Sequence, residues 1–411
     1  MALIRPFYCV RPSEKAAARV AALPYDVFSR EEAKKEVERE PLSFLKIDRA
    51  ETSFPDSVDM YAPQVYEKAK ELLKEAEKNG IFVREAERCY YLYELTREGH
   101  VQTGLVACSS VDDYVNHVIK KHENTREEKE LDRIRHVDVT NTQTGPIFLA
   151  YRSEDRLKEL LQQGKEQEAL YDFVSPDGVR HRVFRLADPG LCGQITEAFS
   201  AIPSTYIADG HHRAASAVKV ALKRRAEHPH YDDSEEFNYF LSVLFPAEEL
   251  QILPYNRVVK DLNGLTAEEF LEKVEENFTI LEQNGEKTPK KKGQFCMLLD
   301  GIWYTLEAKE MLKSSDPVKG LDVSLLQDGL LAPILGIMDP RTDHRIAFIG
   351  GIRGTQELER RCALDMRAAF SLFPTSMEEL LAVADAGLLM PPKSTWFEPK
   401  LRSGLFLHPL D

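Results

Sequence analysis

Residues 205–225, TYIADGHHRAASAVKVALKRR, pass from a short apolar stretch through Asp209-Gly210 straight into a helix rich in small residues. A strand that hands over to a helix this abruptly leaves the first N–H groups of the helix unpaired and pointing outward, where the helix dipole favours an anion. Asp209, Gly210, His211, His212 and Arg213 therefore outline a phosphate cradle. Gly210 permits close approach of a ligand to the backbone, Arg213 offers a two-pronged donor for phosphate oxygens, and the histidines can donate to phosphate or accept a proton. Ala214, Ala215, Ser216 and Ala217 then let the helix sit tightly on a sheet.

The rest of the chain alternates in the same manner. A strand is expected over Leu3–Val10, and Ser29 followed by Glu32 fits a capping box at a helix start. Residues 61–79 have helical apolar spacing and stop at Asn79-Gly80. Strands are expected at 89–96 and 101–111, paired across a polar turn, and again at 145–153 and 178–188; the unbroken apolar run 237–246 reads as a buried strand. From 261 the order is helix, strand, hairpin, helix, strand, helix, with the lysine run 287–294 as a solvated hairpin loop. The pattern predicts an α/β chain built on a mixed sheet, divided into residues 1–260 and a second α/β region, 261–411, whose tail packs back on the first.

Composition narrows the function classes. Hydrophobic residues make up 43% and charged residues 30%, the balance of a globular protein, and no run of about 18 apolar residues offers a membrane span. A net charge of −14 opposes non-specific attraction to DNA, so no nucleic-acid partner is expected. The N-terminus has no secretory pattern, and the six cysteines are scattered without metal-binding spacing. The expectation is a cytoplasmic protein with reduced thiols and no dedicated metal cluster; its oligomeric state, homo-oligomers included, is left open.

Two further segments hold chemistry-bearing residues. HENTREEKELDR, 122–133, sets Glu123 beside His122 and among cations that include Arg133, an arrangement able to keep a general base ionised. Its plainer reading is a charged helix start, with Thr125 as cap and Glu128 at the box position. The tail, 389–408, is aromatic, proline-stiffened and basic, as expected of a segment docked on the body with Lys393, Ser394, Thr395, Lys400 and Arg402 lining an anionic pocket. Asp26, in a loop before a helix, and Arg257, ahead of a strand, are weaker candidates.

Taken in order, the blocks IRPFYCVRP, LPYDVFS, PLSFLKI, KKHENTREEKELDR, TGPIFLAY, IADGHHRAASA, LPYNRVV, PRTDHRIAFIGG and MPPKSTWFEPKLRSGLF resemble the bacterial family labelled domain of unknown function 1015. More remotely, Gly210-His211-His212-Arg213 is similar to the phosphate loop of the ParB/sulfiredoxin-like superfamily, with histidine where sulfiredoxin carries its reactive cysteine. The order of KKHENTREEKELDR and ADGHHR also resembles that of the free-serine kinases. That resemblance implies a nucleotide-binding core using ATP and Mg²⁺, with Glu123 taking the proton from a substrate hydroxyl and His122 flanking the transferred group. It further implies Asp209 to Arg213 on the nucleotide and free L-serine as the foremost acceptor, for which Asp26, Arg133, Lys393, Ser394, Thr395, Lys400 and Arg402 are the candidate contacts. A phosphatase acting on a phosphorylated amino acid and a ParB-like nucleotide-dependent switch are the alternatives.

Overall fold

The computed structural model describes residues 1–411, which form two compact units: Met1–Leu250 with Pro399–Asp411, and Gln251–Glu398. The sequence reading divided the chain near 260, with the tail returning to the first part. No helix is long and apolar enough to cross a membrane.

The first unit is built on a mixed nine-stranded sheet. Its strands are β1 (Ile4–Arg5), β2 (Tyr90–Arg97), β3 (His100–Ser110), β4 (Ile119–Lys120), β5 (Ile147–Tyr151), β6 (Tyr171–Val174), β7 (Arg180–Leu186), β8 (Thr205–Asp209) and β9 (Tyr239–Pro246). Their order is β4-β8-β5-β9-β3-β2-β7-β6, with β1 on β3. Only β4–β8 and β5–β9 run parallel. Every residue of β5 and of β9 is buried, which explains their continuous apolar character.

Three helices matter to the site: α1 (Pro63–Lys78), α2 (Glu127–Thr140) and α3 (His211–Glu227). Ala214, Ala217, Val218 and Ala221 of α3 pack into the sheet core with Ile147, Leu149 and Ile207, the close seating that small residues permit. On its other side α3 meets α2, where Ser216 Oγ donates to the Glu130 carbonyl at 3.1 Å and Lys219 pairs with the Glu130 carboxylate. The capping box at Ser29 and Glu32 is formed, and α1 ends with Asn79 as its C-cap. The Leu3–Val10 strand is reduced to β1 and a separate pairing of Val10–Pro12 with Phe82–Arg84. Thr125 is not the cap of α2: that position is Arg126, with no side-chain cap.

The second unit is built on a six-stranded sheet of β10 (Tyr255–Val259), β11 (Phe278–Gln283), β12 (Gln294–Leu299), β13 (Ile302–Ala308), β14 (Ile346–Gly350) and β15 (Ala368–Leu372), beside a separate antiparallel pairing of Gln251–Leu253 with Trp396–Glu398. Their order is β11-β13-β12-β15-β10-β14. The lysine run 287–294 is thus not a hairpin loop. β13 lies between β11 and β12, so the segment crosses to a non-adjacent strand; the tight hairpin is at Asp300-Gly301 instead. Lys287, Lys290, Lys291 and Lys292 pair with Glu359, Glu286, Glu307 and Glu379.

Candidate active site

Parallel pairing of two short strands brings the two motifs together. Thr205 and Tyr206 of β8 lie beside Ile119 and Lys120 of β4, so both strands end at the same edge of the sheet. His122 and Glu123 leave β4 where Asp209 and Gly210 leave β8, the C-terminal end of strands at which α/β folds place ligands. Glu123 Oε2 lies 3.6 Å from His211 Nδ1, although 88 residues separate them in sequence (211 − 123).

The corner itself follows from Gly210. Its φ of 93° lies in the left-handed region, and a Cβ there would meet the Arg213 guanidinium at 3.0–3.1 Å. Glycine thus allows the turn and leaves room for the arginine, which donates to the Pro146 carbonyl. Asp209 closes the turn, accepting from Gly210 N at 2.8 Å, and its other oxygen accepts from Lys400 Nζ at 3.0 Å. Burial alone would raise the Asp209 pKa, but Lys400 and Arg213 hold it well below the usual carboxylate range.

His122 and His211 are 1% and 4% exposed, with ring centroids 4.6 Å apart at right angles. Burial pushes His122 down to about 4 and His211 well below the ordinary histidine value, aided in the latter by the neighbouring imidazole. Both rings are neutral at pH 7. Neither nitrogen of His122 nor Nε2 of His211 reaches a partner at full hydrogen-bond geometry, although His122 has a backbone contact with Ile207. His212 is half-buried and accepts from Arg126 N at 3.0 Å.

Beside this corner lies a cleft of two cavities, 230 and 30 Å³, sharing Tyr25, Asp48, Arg133 and His136. Asp26 and Lys129 line the larger, Arg213, Thr144 and Ser403 the smaller. The Arg133 guanidinium stacks 3.9 Å from the centre of the Tyr25 ring and pairs with Asp132 at 2.8 Å and Asp48 at 3.9 Å. Asp48 also accepts from Thr144 Oγ1 at 2.8 Å, and Tyr66 of α1 donates to Asp132 at 2.9 Å.

The structure therefore gathers Glu123, His122, Asp209, Gly210, His211, His212, Arg213, Lys400, Asp26 and Arg133 around one corner and its cleft. Arg402 faces elsewhere: its Nη2 pairs with Asp177 at 2.5 Å. Lys393, Ser394 and Thr395 belong to the second unit, where Ser394 Oγ donates to the Pro391 carbonyl at 2.6 Å and the Lys393 carbonyl accepts from Arg257 at 3.1 Å. Arg257 sits within β10 rather than ahead of it. Tyr25, Asp48, His136 and Thr144 were not singled out by sequence reasoning, whereas Asp132 belongs to the HENTREEKELDR cluster that was. Three had a signal, since Tyr25 lies within LPYDVFS, Asp48 directly follows PLSFLKI and Thr144 opens TGPIFLAY.

This mixed α/β chain belongs to the family described as protein of unknown function, DUF1015, which it matches over residues 4–324. No curated protein matches it significantly. Among solved structures it is similar to a free serine kinase in complex with AMP, at 14% identity and a TM-score of 0.35, over 73% of this chain and 91% of that one. It is also similar to a conserved hypothetical protein from Pyrococcus furiosus, at 14% identity and a TM-score of 0.35, over 73% of this chain and 93% of that one. A third is a C-terminally truncated SbnI from Staphylococcus aureus, at 12% identity and a TM-score of 0.38, over 72% of this chain and 85% of that one.

Proposed function

We propose that the chain is an ATP-dependent kinase with a ParB/sulfiredoxin-like nucleotide pocket, acting on a small hydroxylated metabolite with free L-serine as the leading acceptor. The observation that carries this reading is the Glu123 carboxylate 3.6 Å from His211 Nδ1, at the N-terminus of α3. Phosphoryl transfer asks a protein chiefly to position its reactants and neutralise charge. The open N–H groups of α3, Arg213 and Lys400 supply donors and positive charge for phosphate oxygens. Glu123, 40% exposed, accepts the proton of the acceptor hydroxyl, and the neutral His122–His211 pair keeps competing positive charge away from it.

The 230 Å³ cavity suits an acceptor of amino-acid size, with Arg133 for a carboxylate and Asp26 at its rim. Mg²⁺ arriving with the nucleotide would neutralise phosphate charge; no group of three metal-binding side chains is disposed to hold it unaided, and Asp209 is the one carboxylate of the loop. The test is phosphate transfer from labelled ATP to a panel of amino and hydroxy acids. Labelled phosphoserine would support the proposal; ATP-independent release of phosphate from phosphoserine, or tight CTP-dependent binding of duplex DNA, would replace it.

A further inference from the structure

A separate cavity of 250 Å³ lies in the first unit, with Ala21, Leu23 and Phe28 on one wall and Ser175, Asp177 and Arg402 on the other. Arg402 is only 3% exposed, yet its hydrogen-bonding capacity is not used up. Nη2 donates to Ser175 Oγ at 3.0 Å and to Asp177, and Nε faces His181 Nε2 at 3.4 Å. Nη1 makes no hydrogen bond, which leaves two N–H donors of a nearly buried cation on an open cavity. Nη1 is reached from the cavity rather than sealed off, so these donors are available to a ligand that enters it.

The guanidinium is also held in place from behind. His181 is fully buried, its pKa pushed down to about 3 by burial and by Arg402, so it stays neutral and fixed between Ser175 Oγ at 2.9 Å and Tyr93 Oη at 2.7 Å. A donor immobilised before its ligand arrives loses little entropy on binding.

We propose that this cavity is a binding site for a small aliphatic carboxylate, its oxygens on Arg402 Nη1 and its tail against Ala21, Leu23 and Phe28. Charge selects the class. At the rim Arg19 pairs with Glu40 at 2.8 Å and Arg39 with Glu36 at 2.6 Å, so with Arg402 and Asp177 three cations balance three carboxylates. The lining has no net charge, so a second negative charge on the ligand, as on phosphate, would add repulsion from Asp177 with no free cation to offset it. Occupancy bears on the segment 23–28, because Phe28 also lines the 230 Å³ cavity beside Tyr25 and Asp26. On the opposite strand Ser403, next to Arg402, lines the smaller cleft cavity and exchanges backbone hydrogen bonds with Ala22 at 2.8 and 3.1 Å.

The test is calorimetric titration of the full chain with sodium butyrate, with n-butylamine and inorganic phosphate as controls, and hydrogen–deuterium exchange with and without butyrate. Saturable millimolar binding of butyrate alone is expected, weakened about 10- to 100-fold in Arg402→Met through loss of a charge-assisted hydrogen bond. Ala21→Phe, which fills the cavity without touching the buried polar network, should abolish it, and this variant decides the matter if Arg402→Met does not fold. Exchange across residues 18–28 should slow on binding. Absence of saturable binding, binding that survives Ala21→Phe, preference for phosphate, or an unchanged exchange pattern at 18–28 would each overturn the proposal.

Discussion

Gly210→Ala puts the strand-to-helix corner under direct strain. An alanine held at φ 93° pays roughly 1–2 kcal/mol for the left-handed backbone, partly offset by about 0.4–1 kcal/mol from a less flexible unfolded chain. Contacts of 3.0–3.1 Å with Arg213 then force the guanidinium to move by a few tenths of an ångström. The net loss of folding stability is therefore about 1 kcal/mol, a fall in melting temperature of roughly 2–4 °C. The loss of nucleotide affinity should be larger, because the displaced fork is the group proposed to meet the phosphates. Scanning calorimetry reads the first effect and titration with a non-hydrolysable ATP analogue the second. Gly210→Asn separates the two causes, since asparagine tolerates the left-handed region but still crowds Arg213. Wild-type melting together with wild-type affinity in Gly210→Ala would refute this account of the corner.

Histidines buried as neutral rings make the fold acid-sensitive. The unfolded chain binds protons near pH 6.5 whereas His122 does so only near 4, so stability falls as pH drops through that window and is unaffected above it. His122→Gln should flatten the slope of melting temperature against pH between 6.5 and 4 by up to about 1.4 kcal/mol per pH unit in free-energy terms; an unaltered slope contradicts this assignment. Arg133→Met strands the buried Asp48 carboxylate and should cost about 3 kcal/mol by chemical denaturation, whereas a loss of a few tenths would mean that the pair is solvent-screened.

Local chemistry made much of this legible. The Asp209-Gly210 turn, the alanine face of α3 and the capping box at Ser29 are each set by residues within a few positions of one another. Non-local pairing was not legible in the same way. β4 is two residues long and carries no periodicity, yet its parallel register on β8 is what brings Glu123 to His211. The same difficulty hid β13 between β11 and β12, which made the lysine run look like a hairpin. Among the tail cations, Lys400 and Arg402 are two positions apart and of similar chemistry. Only the three-dimensional arrangement assigns one to Asp209 and the other to Asp177.

Glu123→Gln is the most direct test of the kinase reading, since it keeps the shape of the side chain and removes only its capacity to take a proton. Phosphate transfer to L-serine should drop by about 100-fold or more while affinity for ATP and the melting temperature stay at wild-type values. Transfer at the wild-type rate would contradict the account.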